Sequence, residues 1–325
     1  MFKNLRELIV SMPTEEDCRK YLIEQRWGGC IVCPYCFQSE KVYVIEGGKR
    51  FKCGSKACYK KFSVTVGTIF EASKIPLTKW LMAIYIVTGH KKGISSYQLG
   101  RDLGIAQKNS WFMLHRIRQM MENVSGNQLG GIVEVDETYM SRKYGSEYVG
   151  MSPEEVENIK PHAKKRNKGA AIGLKERGGN VIVKASGTAG GIEVGEAVKE
   201  HVAPDTHLMT DEALKYRNVL SGFARESVNH SAGEFVRGNV HTNGIENFWS
   251  VMKRGLYGIY HQISYKHLQR YCNEFTYRYN TREIKDCDRF TLSLQNIERR
   301  LTYKGLVGNN PIKSGKKDVK DFYIP

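Results

Sequence analysis

No part of this sequence is long and apolar enough to cross a bilayer. The longest strongly apolar run, WLMAIYIV at 80–87, falls far short of the roughly 18 residues that a membrane-spanning helix needs. The N-terminus, MFKNLRELIVSMPTEED, lacks the clean apolar region of a secretory signal and carries acids and a proline in its place. A soluble, cytoplasmic chain with no membrane association is therefore expected, and disulfides are not, so the eight cysteines fall to metal ligation or free thiols. There is no internal repeat and no low-complexity linker. Acids are also in short supply: 34 Asp and Glu face 50 Lys and Arg, for a net +16 and a pI near 9.4. That surplus points to a polyanionic partner, and nucleic acid and an anionic membrane surface both fit it.

What is present is enough for a substantial core. The 325 residues, 41% hydrophobic and 10% aromatic, allow one large domain or two to three smaller ones. Charge is uneven along them: residues 1–130 hold 20 of the 50 bases but only 10 of the 34 acids, or +10 of the +16. The later region keeps the acids, which suits chemistry that needs carboxylates.

Four cysteines form a unit, Cys33 and Cys36 in CPYC and Cys53 and Cys58 in CGSKAC. Between them KVYVIE and KRFKC flank Gly47-Gly48, a pair able to take the positive φ of a tight hairpin turn. Two knuckles joined by a hairpin make a zinc ribbon, and a closed set of four thiolates is a structural site. The second knuckle has four intervening residues instead of two, and Cys30 stands at a spacing that lets it substitute as a ligand. Cys18, Cys272 and Cys287 read as small core residues.

FSVTVGTIF, at 62–70, reads as a strand closing this module, followed by a helix from a Thr78 cap to about His90. ISSYQLGRDLGI and AQKNSWFMLHRIRQMM then have the form of a helix-turn-helix, with Ser95 or Ser96 as cap, Gly104 at the turn and a second helix over about 107–122. Gln107, Lys108 and Asn109 in its first turn, with Arg116 and Arg118 further along, are its candidate DNA contacts. An ordinary helical hairpin is the alternative.

From Gly131 the texture changes. GIVEVDETYM alternates as a strand, GAAIGLKER and NVIVKASG form a hairpin about Gly178-Gly179, GIEVGEAVKEHV is helical, and THLMTD is a further strand. A short strand near ESVNH and helices near 242–256, 264–283 and 290–302 follow. That order is an α/β (α+β) arrangement, a ribonuclease-H-like mixed sheet with flanking helices. Between the first strand and the hairpin, SPEEVENIK offers Ser152 and Glu155 as a capping box, and KPHAKKRNK is either a solvated surface or a phosphate-holding run. The tail IKSGKKDVKD is polar and basic, and mobility is expected of it.

Asp136 interrupts an apolar strand and Asp211 ends another, both where a charge needs a reason. Glu246 follows on a helix whose apolar face is Ile245, Phe248, Trp249, Met252 and Leu256, with Thr242 or Asn243 as its cap. Three converging acids repel one another unless cations neutralise them, and oxygen donors suit two Mg2+ or Mn2+ ions acting on a phosphodiester. Glu134, Glu137, Glu212, Asp205 and Glu234 are competing acids. Lys253 and Arg254, seven and eight residues beyond Glu246, lie near its helical face and suit phosphates. His230, His241 and Asn243 are candidates for the same region, while Phe248, Trp249, Tyr271, Phe275 and Tyr279 read as core.

CPYC with FSVTVGTIFEASKIPLTKW, then VEVDETYM, AAIGLKERGG, LMTDEALKY and HTNGIENFWSVMKRGLYGIYHQISYKHLQRYCNEFTYRYNTR, resembles the DDE-type transposases of bacterial insertion sequences, in the zinc-ribbon-bearing group related to Merlin elements. The resemblance spans about residues 20–300. It implies a catalytic triad at Asp136, Asp211 and Glu246 that binds two catalytic Mg2+ or Mn2+ ions. It further implies cleavage at transposon ends bound through their inverted repeats, joining of the 3′-hydroxyls to target DNA, a homodimer or larger oligomer on DNA, and a place at the bacterial nucleoid. A zinc-dependent DNA-binding regulator with an idle second domain, and a nuclease of the same fold, are the other readings. The expected units are 1–75 with the ribbon, 76–125 with the helix-turn-helix, a catalytic domain over 130–303, and a basic tail over 304–325.

Overall fold

The computed structural model describes residues 2–122, 128–142, 168–211, 216, 219–229 and 232–308. Helices α1 (Leu5–Ser11) and α2 (Glu15–Trp27) come first, the second started by a Thr14–Asp17 capping box and stopped by Gly28 in the left-handed region. Strands β1 (Val42–Ile45), β2 (Arg50–Cys53) and β3 (Lys61–Phe62) form an antiparallel sheet, with Gly47 and Gly48 at positive φ in the hairpin turn. FSVTVGTIF is a strand only at its first residue. Beyond it the Ser63, Thr65 and Thr68 hydroxyls bond one another and the nearby backbone, which draws the chain into turns instead of a ladder.

Helix α3 (Leu77–Gly89) carries the apolar run WLMAIYIV, and Trp80, Leu81, Ala83, Ile84 and Val87 of that helix are all buried. Its apolar length is thus that of a central core helix, and among the described residues no helix is long and apolar enough to cross a membrane. Its N-cap is Pro76, not Thr78, whose N–H is instead met by Glu15 Oε1 of α2 at 3.4 Å. Helices α4 (Ser96–Leu103) and α5 (Gln107–Met120) follow as expected, with Ser95 capping the first and Gly104 turning the chain between them at φ 59°.

The second sheet contains β4 (Ile132–Arg142), β5 (Lys168–Glu176), β6 (Val181–Ser186), β7 (His207–Asp211) and β8 (Ala224–Val228), in the spatial order β6-β5-β4-β7-β8. The β4–β5 and β5–β6 pairs are antiparallel, and the β4–β7 and β7–β8 pairs are parallel. This is the ribonuclease-H-like topology, with β4 in the centre. Helix α6 (Gly191–His201) covers one face through Val194, Ala197 and Val198. Helices α7 (Asn243–Gly255) and α8 (Tyr265–Asn280) cover the other, and a π-turn over Leu256–Tyr260 follows α7.

The last helices are placed differently from expectation. Helix α9 spans Asp286–Leu294, not 290–302, and α10 is short, at Tyr303–Val307. Cys287, Phe290, Leu294 and Ile297 are buried in the core of α1–α5, not in that of the second sheet. Between α9 and α10 the chain is pinned by bonds from Ile69 N–H to Ile297 O and from Arg116 Nε to Leu301 O, which hold it out of a helix. The capping box at 152–155, the run KPHAKKRNK up to residue 167 and the tail IKSGKKDVKD lie outside the described residues.

Candidate active site

The four ribbon thiols converge: the sulfurs of Cys33, Cys36, Cys53 and Cys58 all lie within 4.8 Å of one another. Cys33 Sγ and Cys58 Sγ are 3.8 Å apart and Cys36 Sγ and Cys53 Sγ 3.5 Å, where a tetrahedral ion with bonds of about 2.3 Å puts its sulfurs about 3.8 Å apart. The longer second knuckle preserves this geometry. Cys33 N–H bonds Gln38 O and Cys53 N–H bonds Lys60 O, in each case the residue two beyond the second cysteine, so the extra residues loop out inside the same closing bond. The donor set therefore suits structural zinc. Cys30 is exposed and outside the group, and Cys18, Cys272 and Cys287 are buried.

In the second sheet, parallel β4 and β7 pair Ile132 with His207, Val133 with Leu208 and Glu134 with Met209. The pairing ends there, two residues short both of Asp136 and of Asp211, the last residue of β7, so the two acids lie toward the same end of adjacent parallel strands. The buried Tyr216 hydroxyl registers both carboxylates: burial, then the charges of Asp211 and Asp136, push it far above the ordinary phenol range.

On the other side of β4, Asp136 pairs with Gly173 of β5. A Cβ on Gly173 would stand 2.5 Å from Trp249 Cζ2 and 2.7 Å from Ile245 Cδ1, so α7 rests on bare backbone there. At that approach the Trp249 indole N–H donates to Asp136 Oδ2 at 3.0 Å. Helix α7 buries Ile245, Phe248, Trp249 and Met252 and leaves Glu246 exposed, its Oε1 accepting from the Thr242 hydroxyl at 2.7 Å. Thr242 is the N-cap by position but makes no capping bond with its side chain.

Asp136, Glu246, Lys253 and Arg254 line one cleft of about 550 Å3 with Glu137, Thr138, Trp249, Ser250 and Tyr257. Asp211 is not among the lining residues, and its link to the cleft is Tyr216, which feels the charges of both aspartates. Among the described residues the three acids are not gathered within 4.8 Å of one another as the ribbon sulfurs are; carboxylate oxygens are the donors a hard divalent cation takes, and the two cations beyond Glu246 on the helix suit phosphate. Ser250 and Tyr257 were not foreseen, although they continue the series Glu246, Ser250, Lys253, Tyr257 at helical spacing.

Of the competing acids, Glu137 lines the cleft itself and accepts from the Tyr216 hydroxyl, whereas Glu134 is buried and ion-paired with Arg177, Asp205 is exposed in a turn, and Glu234 accepts from Asn229 N–H. Glu212 and His230 lie outside the described residues. His241 packs beside Glu134, and Asn243 is exposed at the start of α7. Phe248, Trp249, Tyr271 and Phe275 are core residues and Tyr279 packs against them, although Trp249 also holds Asp136.

The candidate contacts on α5 divide. Lys108 and Asn109 are exposed in its first turn, and Gln107, half-buried, donates to the Ser96 hydroxyl. Arg116 and Arg118 are only 4% and 1% exposed and do not face a partner. Arg116 donates to Ile69 O and Leu301 O, and Arg118 pairs with Glu274 of α8 at 2.5 Å, because the face of α5 that carries them is the one packed against the rest of the molecule.

Residues 128–280 match the model of the ISXO2-like transposase domain and residues 13–61 that of the transposase zinc-ribbon domain. An uncharacterized protein in transposable element ISH50 of Halobacterium salinarum is 27% identical over 263 residues, 76% of this chain and 85% of that one. An uncharacterized transposase-like protein of Haemophilus influenzae is 35% identical over 89 residues, 27% of this chain and 71% of that one. A chain in the crystal structure of a pre-cleavage Mos1 transpososome is a distant likeness, with 12% identity and a TM-score of 0.26 over 66% of this chain and 74% of that one. The matched transposase domain ends where α8 ends, which agrees with the packing of α9 outside the second sheet. With a ribbon of four convergent thiols leading into a ribonuclease-H-like sheet, the chain belongs to the ISXO2-like transposases that carry an N-terminal transposase zinc ribbon.

Proposed function

We propose that the chain cuts DNA at the ends of an insertion sequence and joins the freed 3′-hydroxyls to target DNA, with Asp136, Asp211 and Glu246 as the catalytic acids. The observation that carries this reading is the cleft shared by Asp136, Glu246, Lys253 and Arg254, with Asp211 ending the strand that pairs in parallel with that of Asp136. The three carboxylates would hold two Mg2+ or Mn2+ ions, which supply activation of the attacking water or 3′-hydroxyl and stabilisation of the leaving oxygen. Trp249 fixes the Asp136 carboxylate from below, Lys253 and Arg254 hold the phosphate backbone, and Gln107, Lys108 and Asn109 meet the inverted repeat together with the ribbon. Joining two ends requires two protomers or more on the DNA.

The test is cleavage of a supercoiled plasmid carrying the element's ends, in Mg2+ or Mn2+. Asp136→Ala, Asp211→Ala and Glu246→Ala should each abolish cleavage and joining and leave end binding nearly intact. Cleavage retained in any one removes that acid from the mechanism. Binding with no nicking by the wild type would favour a zinc-dependent regulator, and cleavage that never leads to joining would favour a nuclease.

A further inference from the structure

Helix α7 begins without a side-chain cap of its own, since the Thr242 hydroxyl is turned to Glu246. A carboxylate from the sheet takes that role. Glu134 Oε2 accepts from Ile245 N–H at 2.9 Å, across 111 residues of sequence, and the carboxylate is 1% exposed. Its Oε1 accepts from Arg177 Nε at 3.1 Å, and the same guanidinium donates to Asn239 O at 2.6 Å and to His241 O at 3.0 Å, both in the segment leading into α7. His241 Nδ1 stands 3.4 Å from Glu134 Oε1. The approach needs Gly244, where a Cβ would lie 2.7 Å from Glu134 Oε2.

The placement of this bond matters more than its strength. Glu134 is two residues before Asp136 and so shares its face of β4, while Ile245 directly precedes Glu246. One carboxylate therefore ties the strand to the helix immediately beside the two acids that line the cleft. A negative charge at a helix N-terminus is favoured by the backbone dipoles, so the tie is pulled in the direction that closes the gap.

We propose that Glu134, held by Arg177, is a positioning residue that sets the separation of Asp136 and Glu246, and through it the affinity of the cleft for divalent cations. It holds no ion itself. This rests on the reading of Asp136 and Glu246 as metal ligands, and the experiment keeps the two claims apart. Mn2+ binding to the zinc-loaded full chain is measured by calorimetry, next to Mn2+-dependent cleavage and DNA-end binding, for Glu134→Ala, Glu134→Gln, Gly244→Ala and Asp136→Ala.

Glu134→Ala should weaken Mn2+ binding by roughly tenfold or more, the usual effect of losing a group that orients a metal ligand, with end binding within about twofold of wild type. Glu134→Gln keeps an oxygen for Ile245 N–H and should recover part of the loss. Gly244→Ala drives the carboxylate off the helix start without removing any charge and should weaken Mn2+ binding as well, which keeps the claim testable if Glu134→Ala does not fold. Wild-type Mn2+ affinity in Glu134→Ala, or in a folded Gly244→Ala, overturns the positioning role while Asp136→Ala still loses Mn2+. Wild-type Mn2+ binding in Asp136→Ala overturns the site reading and the positioning role with it.

Discussion

Trp249 reaches Asp136 because Gly173, opposite it in the ladder, has no side chain. A methyl there would meet the indole at 2.5 Å and Ile245 at 2.7 Å, with backbone on one side and a helix on the other. Gly173→Ala should therefore cost about 1–3 kcal/mol, read as a lower melting temperature, and should reduce cleavage more than DNA binding because the displaced helix carries Glu246. Asp136 and Asp211 are visible in one dimension as charges inside apolar strands and Glu246 only together with them and with the resemblance, and the structure puts Asp136 and Glu246 in one cleft. The parts played by Gly173, Gly244 and Glu134 are not visible in one dimension, since each depends on which helix lands on which strand. Arg116 and Arg118 misled for the complementary reason. Their charge suggested DNA, but charge does not say which way a guanidinium faces, and here both face inward.

Between elements, the seam of α5 against α8 is where the α4–α5 pair meets the helices that cover the second sheet. Glu274 lies at its centre, fully buried, paired with Arg118 and Arg278 at 2.5 Å each and accepting from the Tyr260 hydroxyl. Burial alone would raise its carboxyl, but the two guanidiniums bring it down to about 2. Glu274→Gln should cost about 3–5 kcal/mol in denaturant melts at neutral pH, because it leaves two buried cations without their counter-charge.

His115 and His267 pack together in the same seam, ring centroids 4.6 Å apart and planes tilted by 45°. Burial, then Arg118 and other nearby cations, push His115 far down, and burial, then Arg270, Lys266 and Arg118, push His267 to about 4. Both imidazoles stay neutral in the fold while the unfolded chain protonates near pH 6.5. Stability is thus flat above that pH and falls as pH drops from about 6.5 toward 4, by about 1.4 kcal/mol per pH unit for each group. Urea melts across that range should show the slope, and His115→Phe should remove roughly half of it. A slope of opposite sign would refute the assignment.

Most elements were legible from periodicity and caps: both sheets, the helix pair α4–α5 and α7 fall where alternation, Ser95, Gly104 and the Gly pairs put them. The failures share one cause. FSVTVGTIF and residues 295–302 have strand or helix composition, but hydroxyl bonds in the first and long-range backbone bonds in the second take away the donors and acceptors that a regular element would use.

At the scale of the molecule, the ribbon has a core of its own around Cys33, Phe51, Cys53 and Phe62, separate from that of the second sheet. So small a core depends on its ion. Stripping zinc with a strong chelator should open residues 30–62 to limited proteolysis and abolish end binding, with the fragment carrying β4–β8 staying protected. Resistance of the ribbon to protease after metal removal would sink this.

The anchoring of α9 among α1–α5 also fixes an order of events during synthesis. The N-terminal unit lacks Cys287, Phe290, Leu294 and Ile297 until the ribosome has passed them, by which point the whole second sheet has been made. A nascent or truncated chain that stops short of α9 cannot complete the core that presents Lys108 and Asn109. The unit that carries Lys108 and Asn109 is thus completed only after the second sheet has been made.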